Sequence, residues 1–156
     1  MNPSRAFHPL REQYVRQLIQ LSDERNRFLD VYFPDYGTRR TQMGKLLSSY
    51  THALERMLAT PDEAWPDIVL IGSRVTITYL EDSLSDTFTI VFPDQADPEE
   101  YRISFVSPVV EKLLLRKAGD VVTVETNLET FHVRIEQIYP ADEPVAAPNG
   151  GKRLGS

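Results

Sequence analysis

A chain of 156 residues with 41% apolar residues can bury one ordinary core or two small ones. It contains no run of about eighteen apolar residues and no apolar N-terminal stretch, so neither a membrane helix nor a secretory signal is expected. The absence of cysteine excludes disulfides, thiolate catalysis and Cys-ligated zinc. The expectation is a soluble, cytoplasmic protein with no membrane partner.

The net charge of −6 argues against a general nucleic-acid coat, because neutralising phosphates requires clustered Lys and Arg. Its distribution is uneven. Residues 1–60 hold nine Lys/Arg against six Asp/Glu, and residues 61–156 hold eight against seventeen, so the two halves present opposite fields.

From Pro9 onward, Tyr14, Leu18, Leu21, Phe28 and Tyr32 fall at three- and four-residue steps, with Arg25 filling one slot. This spacing predicts a helix with a heptad stripe. Phe33-Pro34-Asp35-Tyr36-Gly37 ends it, since Pro34 disfavours helical geometry before it and Gly37 permits a positive φ. A second stripe follows at Met43, Leu47, Tyr50, Leu54 and Met57, with Thr38 or Thr41 as N-cap. The short connection makes the helices antiparallel neighbours. One seam leaves the outer faces, with Arg11, Arg16, Arg27, Lys45 and Arg56, in water. Arg25, on the seam, is expected to reach Asp23, Glu24 or the other helix.

Residues 61–67 (PDEAWPD) read as a linker whose Trp65 pins the hairpin to the second domain. The pattern then changes to that of strands: IVLIGSRVTITYL, TFTIVF, RISFVS, DVVTVET and TFHVRIEQIY are rich in Val, Ile, Thr and aromatics. Between the third and fourth, SPVVEKLLLRKAGD predicts one short helix, with Ser107 as N-cap, Pro108 at its first position and Gly119 at its end. The reading is therefore α+β, in four segments: a coiled-coil hairpin at 1–60, a linker at 61–67, a β-rich domain at 68–140, and a tail at 141–156 whose Pro, Ala and Gly cannot order themselves.

The stretch Ile71–Tyr139 resembles the C-terminal domain of the Gre transcription elongation factors, a family related in fold to the FKBP prolyl isomerases. The resemblance is carried in order by Ile71-Gly72-Ser73-Arg74-Val75-Thr76-Ile77, by Ile90-Val91, and by Asp94 and Asp97 in an acidic loop. Ile103-Ser104-Phe105-Val106-Ser107-Pro108 leads into the helix bearing Leu113-Leu114. Gly119-Asp120-Val121-Val122-Thr123-Val124 and Phe131-His132-Val133-Arg134-Ile135 close the pattern. The family's Gly-rich turn between the last two strands is replaced here by Asn127-Leu128-Glu129, and its frequent glycine after the helix by Leu115 or Arg116.

The resemblance implies an FKBP-like fold and RNA polymerase as partner, with nucleic acid met only indirectly inside the transcription complex, and a monomer. It implies that Val106, Ser107 and Pro108 bind the polymerase at the rim of its secondary channel, while the hairpin tip enters the channel. The tip residues are Asp30, Tyr32, Phe33, Asp35 and Tyr36. Such a factor is not an enzyme and has no cofactor of its own. At most it stimulates the polymerase's RNA cleavage, with Asp30 and Asp35 helping to hold a Mg²⁺ shared with the polymerase.

The family's acidic tip, in which an aspartate and a glutamate precede a Glu-Asn run, is echoed here only by Asp35-Tyr36. The alternative is a non-cleaving, Rnk-like or inhibitory competitor for the channel. Taken singly, Asp35 is ordinary turn chemistry and Asp30 an ordinary solvated acid. The aromatics either close the hairpin end or touch the polymerase interior. Arg16, Arg25 and Arg27 either attract RNA or an acidic wall, or are solvated flanks. Prolyl isomerisation needs an aromatic-lined pocket, and Phe88, Phe92, Phe105 and Phe131 read as strand core instead. His8, His52 and His132 have no metal spacing.

Overall fold

The computed structural model of the protein describes residues 8–140; the tail expected to be unstructured, 141–156, lies outside the described residues. The chain divides into two compact units, with the boundary after Pro66. None of the described helices is long and apolar enough to cross a membrane.

The first unit is a hairpin of α1 (His8–Tyr32) and α2 (Thr38–Leu58). Gly44 faces Arg25, Tyr50 faces Gln17, and the end of α2 at Leu58 faces Arg11, so the helices run antiparallel. On α2 every residue of the sequence stripe is buried, Met43, Leu47, Tyr50, Leu54 and Met57, and Gly44 is buried beside them. On α1 the seam is rotated from the expected one. Leu10, Tyr14, Leu21, Phe28 and Leu29 are buried, whereas Leu18 is half-buried and Tyr32 is exposed. The slot assigned to Leu18 belongs to Gln17, whose amide oxygen accepts a 2.7 Å bond from the Tyr50 hydroxyl. A glutamine can occupy a buried seam only because its polar end is matched there.

Arg25 reaches the other helix, donating to the Gly44 carbonyl at 2.9 Å and to Ser48 Oγ at 3.3 Å. Neither Thr38 nor Thr41 caps α2. The N-cap is Gly37, which makes no side-chain bond and is extended at φ −136 rather than at positive φ, and the Thr41 hydroxyl donates to the Gly37 carbonyl. At the open end Arg11 is not a wet outer residue. It donates to the Leu58 and Thr60 carbonyls at 2.8 and 3.0 Å, pairs with the buried Asp62, and lies 5.1 Å from the centre of the Trp65 ring. Trp65 packs edge-on against Tyr14 and donates its indole N–H to the Thr60 carbonyl, which makes it part of the hairpin's own base.

The second unit has five strands, β1 (Arg74–Tyr79), β2 (Ser85–Val91), β3 (Arg102–Ser104), β4 (Val121–Glu125) and β5 (Thr130–Tyr139). They form one mixed sheet in the order β3-β2-β1-β5-β4, with one short helix among the described residues. Pairing is antiparallel except between β2 and β3. That parallel pair is reached through two single 3-10 turns, at Pro93–Gln95 and Pro98–Glu100. Alternation sends Val75, Ile77, Tyr79, Phe88, Ile90, Val133 and Ile135 into the core. The opposite face carries cross-strand hydroxyl pairs, Thr76 with Thr87 at 2.9 Å and Thr78 with Ser85 at 3.1 Å.

Gly72, at φ +101, makes the bend into β1, where its N–H donates to the Ile90 carbonyl. The short helix α3 (Pro108–Leu113) starts at Pro108 as the sequence implies, but it ends six residues before Gly119. The stop is made by Leu115, which adopts φ +70 and whose N–H donates to the Val69 carbonyl. A side chain in that left-handed region costs about 1 kcal/mol or more, which the bonds between residues 69 and 115–116 offset. Gly119, at φ +92, instead turns the chain into β4.

Two stability effects are expected. Tyr50→Phe should cost about 1 kcal/mol in urea unfolding, with a smaller cost in a Gln17→Leu background; equal costs in both backgrounds would show that the bond across the seam contributes nothing. Glu81, in the turn between β1 and β2, accepts bonds from the His132 ring at 2.7 Å and from the His132 backbone N–H, which hold its carboxyl below the usual glutamate range. A depressed carboxylate stabilises fully above its unfolded pKa, and the contribution disappears as pH falls through the folded value. Glu81→Gln should therefore destabilise the protein at neutral pH by an amount that vanishes in acid, read from unfolding curves across pH.

Candidate functional site

Two places carry the residues that the sequence singled out: the tip of the hairpin and the loop before α3. At the tip, α1 stops at Tyr32 and the Phe33 N–H donates to the Leu29 carbonyl. The aromatic trio divides. Phe33 is buried and closes the hairpin end under the Arg39 guanidinium, while Tyr32 and Tyr36 are exposed, Tyr36 by 85%.

The organising residue of the tip is Arg40, which sequence reasoning passed over. From the first turn of α2 it donates to the Phe33 carbonyl at 3.0 Å and to Asp30 Oδ1 at 2.8 Å, and its guanidinium lies 4.2 Å from the centre of the Tyr36 ring. One planar cation thus satisfies a carbonyl at the end of α1, pairs with an acid and stacks on an aromatic face. The only advance signal was the Arg39-Arg40 pair just after the turn. Beside the tip a concave surface of about 690 Å³ is lined by Arg25, Arg40 and Lys45 together with Tyr36, Thr41 and Ser48. Its charge is positive where the family pattern led one to look for acids.

Asp30 and Asp35 lie in different surroundings. Asp30 is already in an ion pair, and Asp35 is an exposed residue of the connecting turn. A cation at Asp30 would sit close to the charge of Arg40. Among the described residues no group of three or more His, Cys, Asp or Glu is arranged to hold a metal. Arg16 and Arg27 pair with Glu12 and Glu24 on their own helix, as solvated flanks do.

The loop before α3 is built more tightly. The Val106 N–H donates to Ser104 Oγ and the Ser107 N–H to the Ser104 carbonyl, both at 3.1 Å, which fixes the turn out of β3. Ser107 holds the N-cap position, and its carbonyl accepts the first helical bond from Glu111. Its side chain makes no capping bond, contrary to the sequence expectation, so the hydroxyl is not used by the helix. Pro108 is exposed, while Val109, Val110 and Leu113 anchor α3 in the core. Beside the loop lies a groove of about 640 Å³ with Ile103, Val109 and Phe131 among its lining residues. Phe88, Phe92 and Phe105 are buried in the core, with the rings of Phe92 and Phe105 edge to face at 5.4 Å.

The tip geometry predicts that Arg40→Ala makes the tip carboxylates more available to cations. In a Mn²⁺ titration followed by NMR, line broadening at residues 30 and 35 should set in at lower metal concentration in the variant than in the unsubstituted protein. Identical titrations would mean that Arg40 does not guard Asp30.

Comparison with known proteins bears on the second of these places. The family described as transcription elongation factor, GreA/GreB, C-term, matches residues 63–140, which contain the whole sheet, the Ser107-Pro108 loop and α3. The transcription elongation factor GreA of Geobacillus kaustophilus is 46% identical over 65 residues, covering 42% of this chain and 41% of that protein. GreA of Listeria welshimeri is 41% identical over 76 residues, covering 49% and 48%. The chain spans about half the length of the relatives it matches. A solved prokaryotic transcription elongation factor GreA/GreB from Nitrosomonas europaea superposes over 81% of this chain and 93% of its own, with a TM-score of 0.55 at 21% identity, which shows a common fold. With half of its residues matched by the family in one stretch, this chain belongs to the GreA/GreB transcription elongation factor family.

Proposed function

We propose that the protein is a regulator that binds bacterial RNA polymerase through its second unit and presents its hairpin to the polymerase secondary channel. The observation that carries this reading is the loop Val106-Ser107-Pro108. It lies inside the family match, is fixed by bonds to Ser104, and offers a hydroxyl that the helix does not use together with an exposed proline ring. Surface groups held rigidly without an internal role are suited to a partner. The protein carries out no reaction of its own. Its effect on transcription comes from what the hairpin tip does near the polymerase's catalytic centre.

Of the two versions of that effect, occupancy of the channel without RNA cleavage is favoured by the Asp30–Arg40 pair. Stimulated cleavage requires tip carboxylates free to help hold a polymerase Mg²⁺, and here one of the two is bonded to a guanidinium. The tip presents Arg40 stacked on Tyr36 instead. This surface is suited to filling the channel and to meeting acidic or aromatic groups there.

Two measurements test the proposal. In a titration with core polymerase at low salt, the protein should bind, and Pro108→Glu should weaken binding by about tenfold or more with an unchanged melting temperature. In a stalled transcription complex with Mg²⁺, the protein should not shorten the RNA, and it should compete with a cleaving factor added afterwards. RNA shortening that is lost in Asp35→Ala would reverse the choice between the two versions while leaving the polymerase-binding reading intact.

A further inference from the structure

The turn between β4 and β5 is where this chain departs from the family's glycine-rich pattern, and it holds the most exposed large apolar side chain of the described residues, Leu128, at 94%. The turn is well fixed. Thr126 and Glu129 close it with a backbone bond of 2.8 Å, and the Thr126 hydroxyl accepts the N–H groups of both Leu128 and Glu129 at 3.2 and 3.1 Å. Leu128 is therefore held out into solvent by a structured turn.

Leu128 also has a position. It lines the groove beside Val106, Ser107 and Pro108, together with Phe131 and Pro98. The loop proposed to bind the polymerase and the leucine thus border one concavity. Charge indicates what can fill it. The two segments that flank the groove, residues 96–102 and 125–129, carry Asp97, Glu99, Glu100, Glu125 and Glu129 against Arg102 alone. Arg102 is itself paired with Asp97 at 3.8 Å. These two flanking segments have a net charge of −4, while the charged residues that line the groove itself are Glu129 and Arg102.

We infer that Leu128 is an apolar anchor of the polymerase-docking surface, and that the polymerase segment seated in this groove bears Lys or Arg residues beside a large apolar side chain. The inference rests on the polymerase-binding reading and extends it in two respects: it makes the β4–β5 turn part of the interface, and it specifies the chemistry of the occupant. An exposed leucine on a fixed turn loses little conformational freedom on docking and gains the burial of its whole side chain. The acidic segments flanking the groove attract a basic segment and disfavour an acidic one.

The test uses the full chain and core RNA polymerase, with binding titrations of the unsubstituted protein, Pro108→Glu, Leu128→Ser, Leu128→Met and the double variant Glu99→Lys/Glu100→Lys. Leu128 is exposed, so the melting temperature of Leu128→Ser should not change. Its affinity should fall by about tenfold, and Leu128→Met should recover most of the loss. The charge-reversed variant should bind more weakly, and its affinity should depend less on salt.

Normal binding by Leu128→Ser alongside weakened binding by Pro108→Glu overturns the inference and spares the polymerase reading. No binding by the unsubstituted protein overturns both. Unchanged affinity in the charge-reversed variant overturns the basic occupant. Sedimentation of the protein alone adds a final arm: a dimer that Leu128→Ser dissociates would identify a second copy of this chain as the occupant, and would also overturn the inference.

Discussion

The hairpin depends on arginine side chains that donate to backbone carbonyls across it. Within the first unit two helices share one seam, and carbonyls at helix ends have no partner within their own helix. Arg11 takes the Leu58 and Thr60 carbonyls at the open end, and Arg40 takes the Phe33 carbonyl at the tip. Between them, Arg25 crosses the seam to the Gly44 carbonyl. Gly44 leaves room for this, because a β-carbon there would lie 3.1 Å from the Arg25 guanidinium. A positive group beside the negative end of a helix dipole is favourable, and the planar fork of arginine serves a carbonyl and a second acceptor together.

The same device gives the tip its character. Because Arg40 is needed to finish α1, its charge is fixed beside Asp30 and Tyr36 as a consequence of closing the hairpin. The structural solution and the surface chemistry are therefore not independent. A tip that uses an acid to orient its closing arginine has one carboxylate fewer to offer a metal. This links how the hairpin ends to the channel-filling role proposed for it.

In the second unit the sheet does for loops what the arginines do for helices. The core side chains of β1, β2 and β5 fix the sheet, and the loop after β3 and the turn between β4 and β5 are bonded to themselves through Ser104 and Thr126. Both use a short hydroxyl side chain to accept backbone N–H groups, the usual means by which Ser and Thr shape tight turns. What these segments present, Ser107, Pro108 and Leu128, is therefore preorganised.

The sequence by itself determined the order of elements, the α2 stripe, the five strands, the start of α3 and the family resemblance. Each of these is written in local periodicity or in an uninterrupted run of residues. It misassigned features that depend on a partner distant in the chain. Leu18 reads as the seam residue until Tyr50 meets Gln17 instead; Arg11 reads as solvated until the carbonyls at the end of α2 arrive; Trp65 reads as a linker residue until Tyr14 and Thr60 receive it. The end of α3 was misplaced because a glycine is the usual sign of a left-handed backbone, whereas here Leu115 adopts it under the constraint of pairing with Val69. Of the candidate sites, the sequence named the loop and the tip, and only the tertiary structure decided that Arg40 governs one and that Leu128 borders the other. Periodicity reports which face of an element is apolar; which polar group meets which across the fold is settled by packing.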